Sequence, residues 1–185
     1  MSSDDLARLL HHRWSLPVLA ELGRERGARF VLLVNRLGVG RETLAQTLES
    51  LIELGLVRRN PGYGHPLRPE YLLTERGARL APRCAALLRA LAETGATDVA
   101  LRKWSLPVLL ALDGGRRFSE LRAALPGITS RALALALKDL VAAGLVERTI
   151  VDGFPPGTAY TSTEAGQPFR NLTQGLAGYS RRHPA

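Results

Sequence analysis

Trp14-Ser15-Leu16-Pro17-Val18-Leu19 returns, residue for residue, as Trp104-Ser105-Leu106-Pro107-Val108-Leu109. The match continues downstream. Leu51, Gly55-Leu56-Val57 and Arg59 correspond to Leu140, Gly144-Leu145-Val146 and Arg148, each 89 positions on (140 minus 51). The same shift carries Tyr71, Thr74-Glu75 and Gly77 onto Tyr160, Thr163-Glu164 and Gly166. The first copy has two extra residues before Phe30, the counterpart of Phe118. It has one fewer between Leu37 and Leu44 than lies between Leu125 and Leu133. Internal repetition of this kind fixes the architecture before any local reading. The chain is one unit written twice. The small polar break Glu93-Thr94-Gly95-Ala96 places the boundary, giving domains 1–93 and 94–185.

Within each copy the pattern reads helix, helix, helix, then two strands. In the second copy Ser105 opens a helix as its cap, with Pro107 in the first turn, where a missing N–H costs little. Val108, Leu109 and Leu112 form its apolar stripe, and Asp113-Gly114-Gly115 ends it. Arg117-Phe118 reads as a short extended piece, after which Ser119 caps Glu120–Leu125. Pro126-Gly127 breaks the chain. Ser130 is expected to cap the next helix, whose Leu133, Leu137, Leu140 and Val141 share the spacing of one buried face. Gly144 stops it. Leu145–Ile150 and Thr158–Thr161 then form a hairpin around Asp152–Gly157. The first copy repeats this order, with Leu44, Leu48, Leu51 and Ile52 on its third helix. Two short helices joined by a tight turn and followed by a hairpin describe a helix-turn-helix with a wing. The fold class expected is mainly α with small β-hairpins (α+β), as two tandem winged helix-turn-helix domains.

Composition narrows the function. The 185 residues hold 25 Lys+Arg against 17 Asp+Glu, a net charge of +8. The pI is near 10.7, which favours a polyanionic partner. All but Lys103 and Lys138 of the basic residues are arginine, as a GC-rich genome would also give. The surplus is even: 14 basic against 10 acidic residues through position 93, and 11 against 7 afterwards. The single cysteine, Cys84, excludes an intramolecular disulfide framework and any multi-thiolate metal site. On its helix it reads as a small buried hydrophobe. No apolar run is long enough for a membrane span. The acidic Met1-Ser2-Ser3-Asp4-Asp5 start lacks a signal segment, so a cytoplasmic protein is expected. His11, His12, His65 and His183 lack metal-site spacing, and no catalytic motif stands out, so neither enzyme activity nor a cofactor is expected. Gly38-Val39-Gly40-Arg41 imitates a phosphate loop but follows a helix and lacks the lysine; it reads as the helix-turn-helix turn.

The second copy resembles the HxlR-type winged-helix regulators, a branch of the wider MarR-like group. The residues that carry the resemblance are Lys103-Trp104-Ser105-Leu106, Arg117-Phe118-Ser119-Glu120-Leu121, Leu125-Pro126-Gly127-Ile128, Gly144-Leu145-Val146-Glu147-Arg148, and Tyr160 with Thr163-Glu164-Ala165-Gly166. The first copy looks like a more diverged version. Such proteins usually have one unit per chain and act as homodimers, so the resemblance implies a transcriptional regulator built like a fused dimer. It also implies responsiveness to small molecules or redox stress. Thiol-sensing members carry a cysteine shortly before the Lys-Trp motif; Leu6–Arg13 and Asp98–Lys103 contain none here.

The third helices differ in their chemistry. Projected at 100° per residue, that of the second copy exposes Arg131, Leu135, Lys138 and Ala142. Arg131 and Lys138 suit phosphates or guanine edges. Ala134, Leu135 and Ala136 stand where the family usually has polar or basic residues. The equivalent face of the first copy is Glu42, Gln46, Glu49 and Glu53, which would repel a phosphate-lined groove. The expected function is therefore a DNA-binding, effector-responsive transcriptional regulator. Its second domain would contact double-stranded DNA through Thr129, Ser130, Arg131, Lys138, Arg148 and Arg117. Arg58, Arg59 and Arg68 would add contacts from the first wing. Trp14 and Trp104 are expected to anchor each core or to wall a small-molecule cavity. Homodimerisation would present four winged helices, and no membrane partner is expected. The alternative is a small-molecule-binding or protein-interaction module that has lost DNA binding. Sealing of Leu135 against the protein would favour that alternative.

Overall fold

The computed structural model describes residues 3–60, 70–112, 114–151 and 157–171. The chain forms two compact units that divide between Arg89 and Ala90, near the end of the last helix counted below with the first unit. In the first, α1 (Ser3–His11) and α2 (Ser15–Glu25) precede a two-residue strand, β1 (Ala28–Arg29). There follow α3 (Phe30–Leu37), α4 (Arg41–Glu53), β2 (Val57–Asn60), β3 (Glu70–Leu73) and α5 (Glu75–Glu93). The second unit holds α6 (Thr97–Ala100), α7 (Ser105–Ala111), β4 (Arg116–Arg117), α8 (Phe118–Ala124), α9 (Ser130–Ala142), β5 (Val146–Val151) and β6 (Gly157–Ser162). Each unit has a three-stranded antiparallel sheet, in the order β1-β3-β2 and β4-β6-β5. The tandem winged-helix architecture follows from the duplicated pattern. The leading helices α1 and α6 and the pairing of β1 and β4 into sheets are additions to it.

Each core is built from one stripe per helix. Leu19, Leu22, Leu33, Leu44, Leu48 and Leu51 are buried in the first unit; Val108, Leu109, Leu121, Leu133, Leu137 and Leu140 in the second. Burying each such side chain is worth about 1.5–3 kcal/mol. Two positions assigned to those stripes lie outside them: Ile52 is 39% and Val141 37% exposed. Both stand in the last turn of their helices, beside positive-φ glycines (Gly55 φ 66, Gly144 φ 69) that turn the chain toward the wing. The core at that end is closed by Leu56-Val57 and Leu145-Val146 instead.

The repeated Thr-Glu-x-Gly has a structural cause. The Thr74 hydroxyl donates to the Gly55 carbonyl at 2.8 Å and accepts from the Gly77 N–H at 3.1 Å. Thr163 does the same with Gly144, at 2.6 Å, and Gly166, at 3.1 Å. A Cβ at Gly77 would stand 2.0 Å from the Leu56 carbonyl oxygen, and one at Gly166 2.1 Å from that of Leu145. Only glycine lets the two backbones close to that distance. The staple fixes the root of the wing to the end of the third helix.

Three caps differ from the sequence reading. Ser105 is the first residue of α7, not its cap; its hydroxyl is buried with no hydrogen-bond partner among the described residues, as is that of Ser15. Helix α8 begins at Phe118, one turn position ahead of the Ser119 cap expected, because the Glu120 carboxylate accepts the Arg117 N–H at 2.7 Å. For α9 the cap is Thr129, whose Oγ1 accepts the Ala132 N–H at 3.1 Å, and Ser130 is the first helical residue. Trp14 and Trp104 are half-buried, so leucines rather than tryptophans fill the two cores.

Candidate nucleic-acid interface

Ile128 is buried in the turn between α8 and α9, directly before the Thr129 cap. The outer face of α9 is then Ser130, Arg131, Ala134, Leu135 and Lys138, all but Ala134 and Ser130 being long enough to reach beyond the helix backbone. Leu135 is 57% exposed, so this outer face is open and not sealed against its own unit. Ala136, read beside Leu135 as part of that face, turns inward at 7% exposure. Neither Arg131 nor Lys138 has an ionic partner among the described residues. The one carboxylate on this helix, Asp139, is held by Arg102. Thr129 and Ser130 stand at the N-terminus of the helix, where free N–H groups and the helix dipole favour an anion. The Thr129 oxygen is used in capping; its O–H remains a donor.

Helix α4 occupies the same position in the first unit with opposite chemistry. Under the 89-residue shift, Glu42 stands at the place of Arg131 and Glu49 at that of Lys138. Both are exposed, as is Gln46 at the place of Leu135. Glu53, expected to extend this acidic face, is engaged by Arg8. At a surface dielectric, one like-charge contact near 4 Å costs on the order of 1–4 kcal/mol. Two reversals on one scaffold decide which helix suits a phosphate-lined groove.

Strand register sorts the wing arginines. Arg148 lies directly opposite Tyr160, and Arg116 faces the same Tyr160 from the other side. Partners in register share a sheet face, so Arg116, Tyr160 and Arg148 form one row; Arg148 also donates to the Thr158 hydroxyl at 3.5 Å. Arg117 pairs with Ala159 and lies on the opposite face, with its guanidinium over Gly157. Arg117 and Arg148, grouped from sequence, are therefore not brought together. Arg116, absent from that group, joins Arg148. In the first unit Arg59 takes the place of Arg148, opposite Tyr71, while Arg58 pairs with Leu72 on the other face. Arg68, His65 and the loop Asp152–Pro156 lie outside the described residues. Arg13 and Lys103 lie over the rings of Trp14 and Trp104, at 6.0 and 5.7 Å from the centroids.

No group of His, Cys, Asp and Glu able to hold a metal ion is found among the described residues. Among them no helix is long and apolar enough to cross a membrane.

Comparison with known proteins returns the same pattern twice. The HxlR-like helix-turn-helix family matches residues 9–97 and again residues 99–184. The chain is 37% identical over 75 residues to the uncharacterized HTH-type transcriptional regulator YkvN of Bacillus subtilis (strain 168). That match covers 40% of this chain and 64% of YkvN. It is also 37% identical over 73 residues to the uncharacterized HTH-type transcriptional regulator YvaP of the same organism, covering 39% of this chain and 68% of YvaP. Among solved structures, the reduced form of the transcriptional regulator YodB from B. subtilis aligns at 27% identity and a TM-score of 0.41. It covers 48% of this chain and 87% of YodB.

Proposed function

The chain belongs to the HxlR-like helix-turn-helix family, present here as two copies in series, and on that premise we propose that it is a DNA-binding transcriptional regulator whose second domain (94–185) does the reading. The observation that carries this is the outer face of α9: Arg131 and Lys138, exposed and without ionic partners among the described residues, flank an open Leu135. Arg131 addresses a guanine edge or a phosphate, Leu135 touches a thymine methyl, and Lys138 neutralises the backbone. Thr129 and Ser130 bind a phosphate at the helix N-terminus, and Arg148 with Arg116 follows the wing into the adjacent groove. The first domain (1–93) acts as a pseudo-dimer partner, with Arg59 and Arg68 as backbone contacts of its wing. Effector binding shifts the population between two arrangements of the reading elements. Association of two chains presents four winged helices.

A gel shift against the DNA upstream of the gene, repeated over a salt series, tests the proposal. Binding is expected to weaken with salt at a log–log slope of about −0.9 per neutralised phosphate. Arg131→Ala should cost about 1–3 kcal/mol, a loss of roughly 5- to 150-fold. Lys138→Ala should lower the slope by about one unit. Retention of full affinity in Arg131→Ala would remove α9 as the reading helix. Absence of any salt-dependent binding would favour the second reading, a module for small molecules or proteins, which the acidic α4 supports.

A further inference from the structure

The first unit contains an open-sided cavity of about 870 Å³ between α2, the β2–β3 hairpin and α5. This lies within the range typical of small organic ligands. Leu72, Ala81, Pro82, Ala85 and Leu88 make its wall apolar. Trp14 is not part of that wall.

Its charges are asymmetric. Arg26, Arg58 and Arg89 line it, and none has an ionic partner among the described residues. The one carboxylate in the wall, Glu21, is already neutralised: Arg24 donates to it at 2.8 and 3.1 Å and Arg36 at 3.1 Å. The Arg24 hydrogen bond holds the Glu21 carboxyl below its ordinary range, against the opposing effect of burial. The cavity therefore offers an apolar surface together with unspent positive charge.

The lip of the cavity is a built feature. Arg26 has φ 58, the only non-glycine residue with positive φ among those described. Such backbone is unfavourable and persists where its surroundings hold it. Gly27 follows at φ 130, so close to Leu72 that a Cβ would stand 2.3 Å from its Cδ2. This turn falls in the stretch where the first copy has two residues more than the second. Two of those cations are also particular to this copy: under the 89-residue shift the second has Glu147 at the place of Arg58 and Gly178 at that of Arg89.

We infer that this cavity is a binding site for a small organic anion, an aromatic or aliphatic body bearing a carboxylate or sulfonate. The body lies on the apolar wall, and the wall arginines answer the charge. A DNA backbone would leave the apolar wall unused, and a neutral apolar compound would leave the arginines unanswered. The site belongs to the first unit and α9 to the second, and its test contains no DNA, so a failed gel shift leaves it intact.

The probe is 8-anilinonaphthalene-1-sulfonate, titrated by fluorescence into the full chain and displaced with 1-naphthoate. One probe per chain is expected. Displacement by 1-naphthamide, which has the same shape without the charge, should be about tenfold weaker, the worth of a charge-assisted hydrogen bond. Ala85→Trp, which fills the cavity, should abolish binding. Arg58→Ala and Arg89→Ala, each removing a cation from the wall, should weaken it by about tenfold and decide the matter if Ala85→Trp does not fold. Equal displacement by the amide and the acid would overturn the inference, as would undiminished binding in the filled or arginine variants. So would probe binding that disappears as chains associate, with Ala85→Trp abolishing that association; the occupant would then be a second copy.

Discussion

Cys84 shows how burial decides chemistry at a single side chain. It is fully buried on α5, and burial pushes its thiol up to about 12. A sensing cysteine needs the opposite, an accessible thiolate at neutral pH. The native protein should therefore not react with a disulfide reagent such as dithionitrobenzoate at pH 8, and should release one equivalent on unfolding. Because the folded state raises this pKa above its ordinary 9.0, its effect on stability is fully present below pH 9. It is lost as pH climbs toward 12. Ser15 and Ser105 are the complementary case. Each puts a hydroxyl at an equivalent buried position with no partner among the described residues, which costs about 1–3 kcal/mol by the usual measure. Ser105→Ala is expected to be neutral or to raise the melting temperature by a few degrees. A drop instead would reveal a bound water or another acceptor at that hydroxyl.

At the scale of elements, the third helices of the two units are the same object with opposite charge. Replacing Glu42 by Arg together with Glu49 by Lys should convert α4 toward α9. The double variant is expected to bind DNA more tightly and to steepen the salt slope by about two units, against no change in stability beyond a few tenths of a kcal/mol. A salt series identical to that of the parent would place α4 away from the duplex altogether. These helices and the helix-turn-helix turn are legible in the sequence because their leucine spacing is periodic and stated twice. The cap of α9 is not: Thr129 and Ser130 are both good caps, and only backbone geometry chooses between them. Ile52 and Val141 fit the period but stand where the core has ended, which no period reports. The sheet faces of Arg117 and Arg148 require the strand register, and β4 is too short to announce one. The cavity leaves no sequence signal, because its wall gathers residues from α2, α3, the β2–β3 hairpin and α5, which are far apart along the chain.

At the scale of the whole chain, the proposed function implies one reading helix, α9, per two winged helices, because only its outer face carries the favourable sign. A systematic substitution of the bound operator should then find one short run of discriminating base pairs for each chain bound. Two equivalent runs per chain would show that α4 reads as well. Dimerisation of chains would give two such runs, related by the symmetry of the assembly and separated by whole turns of about 34 Å.

The covalent link between the copies has a genetic consequence. In an assembly of identical subunits, any codon change appears at every symmetry-related place at once, so a lesion in the grip on DNA is inherited by both hands. Here the positions of Arg131 and Glu42 answer to different codons. A change in one of the two third helices therefore leaves the other as it was.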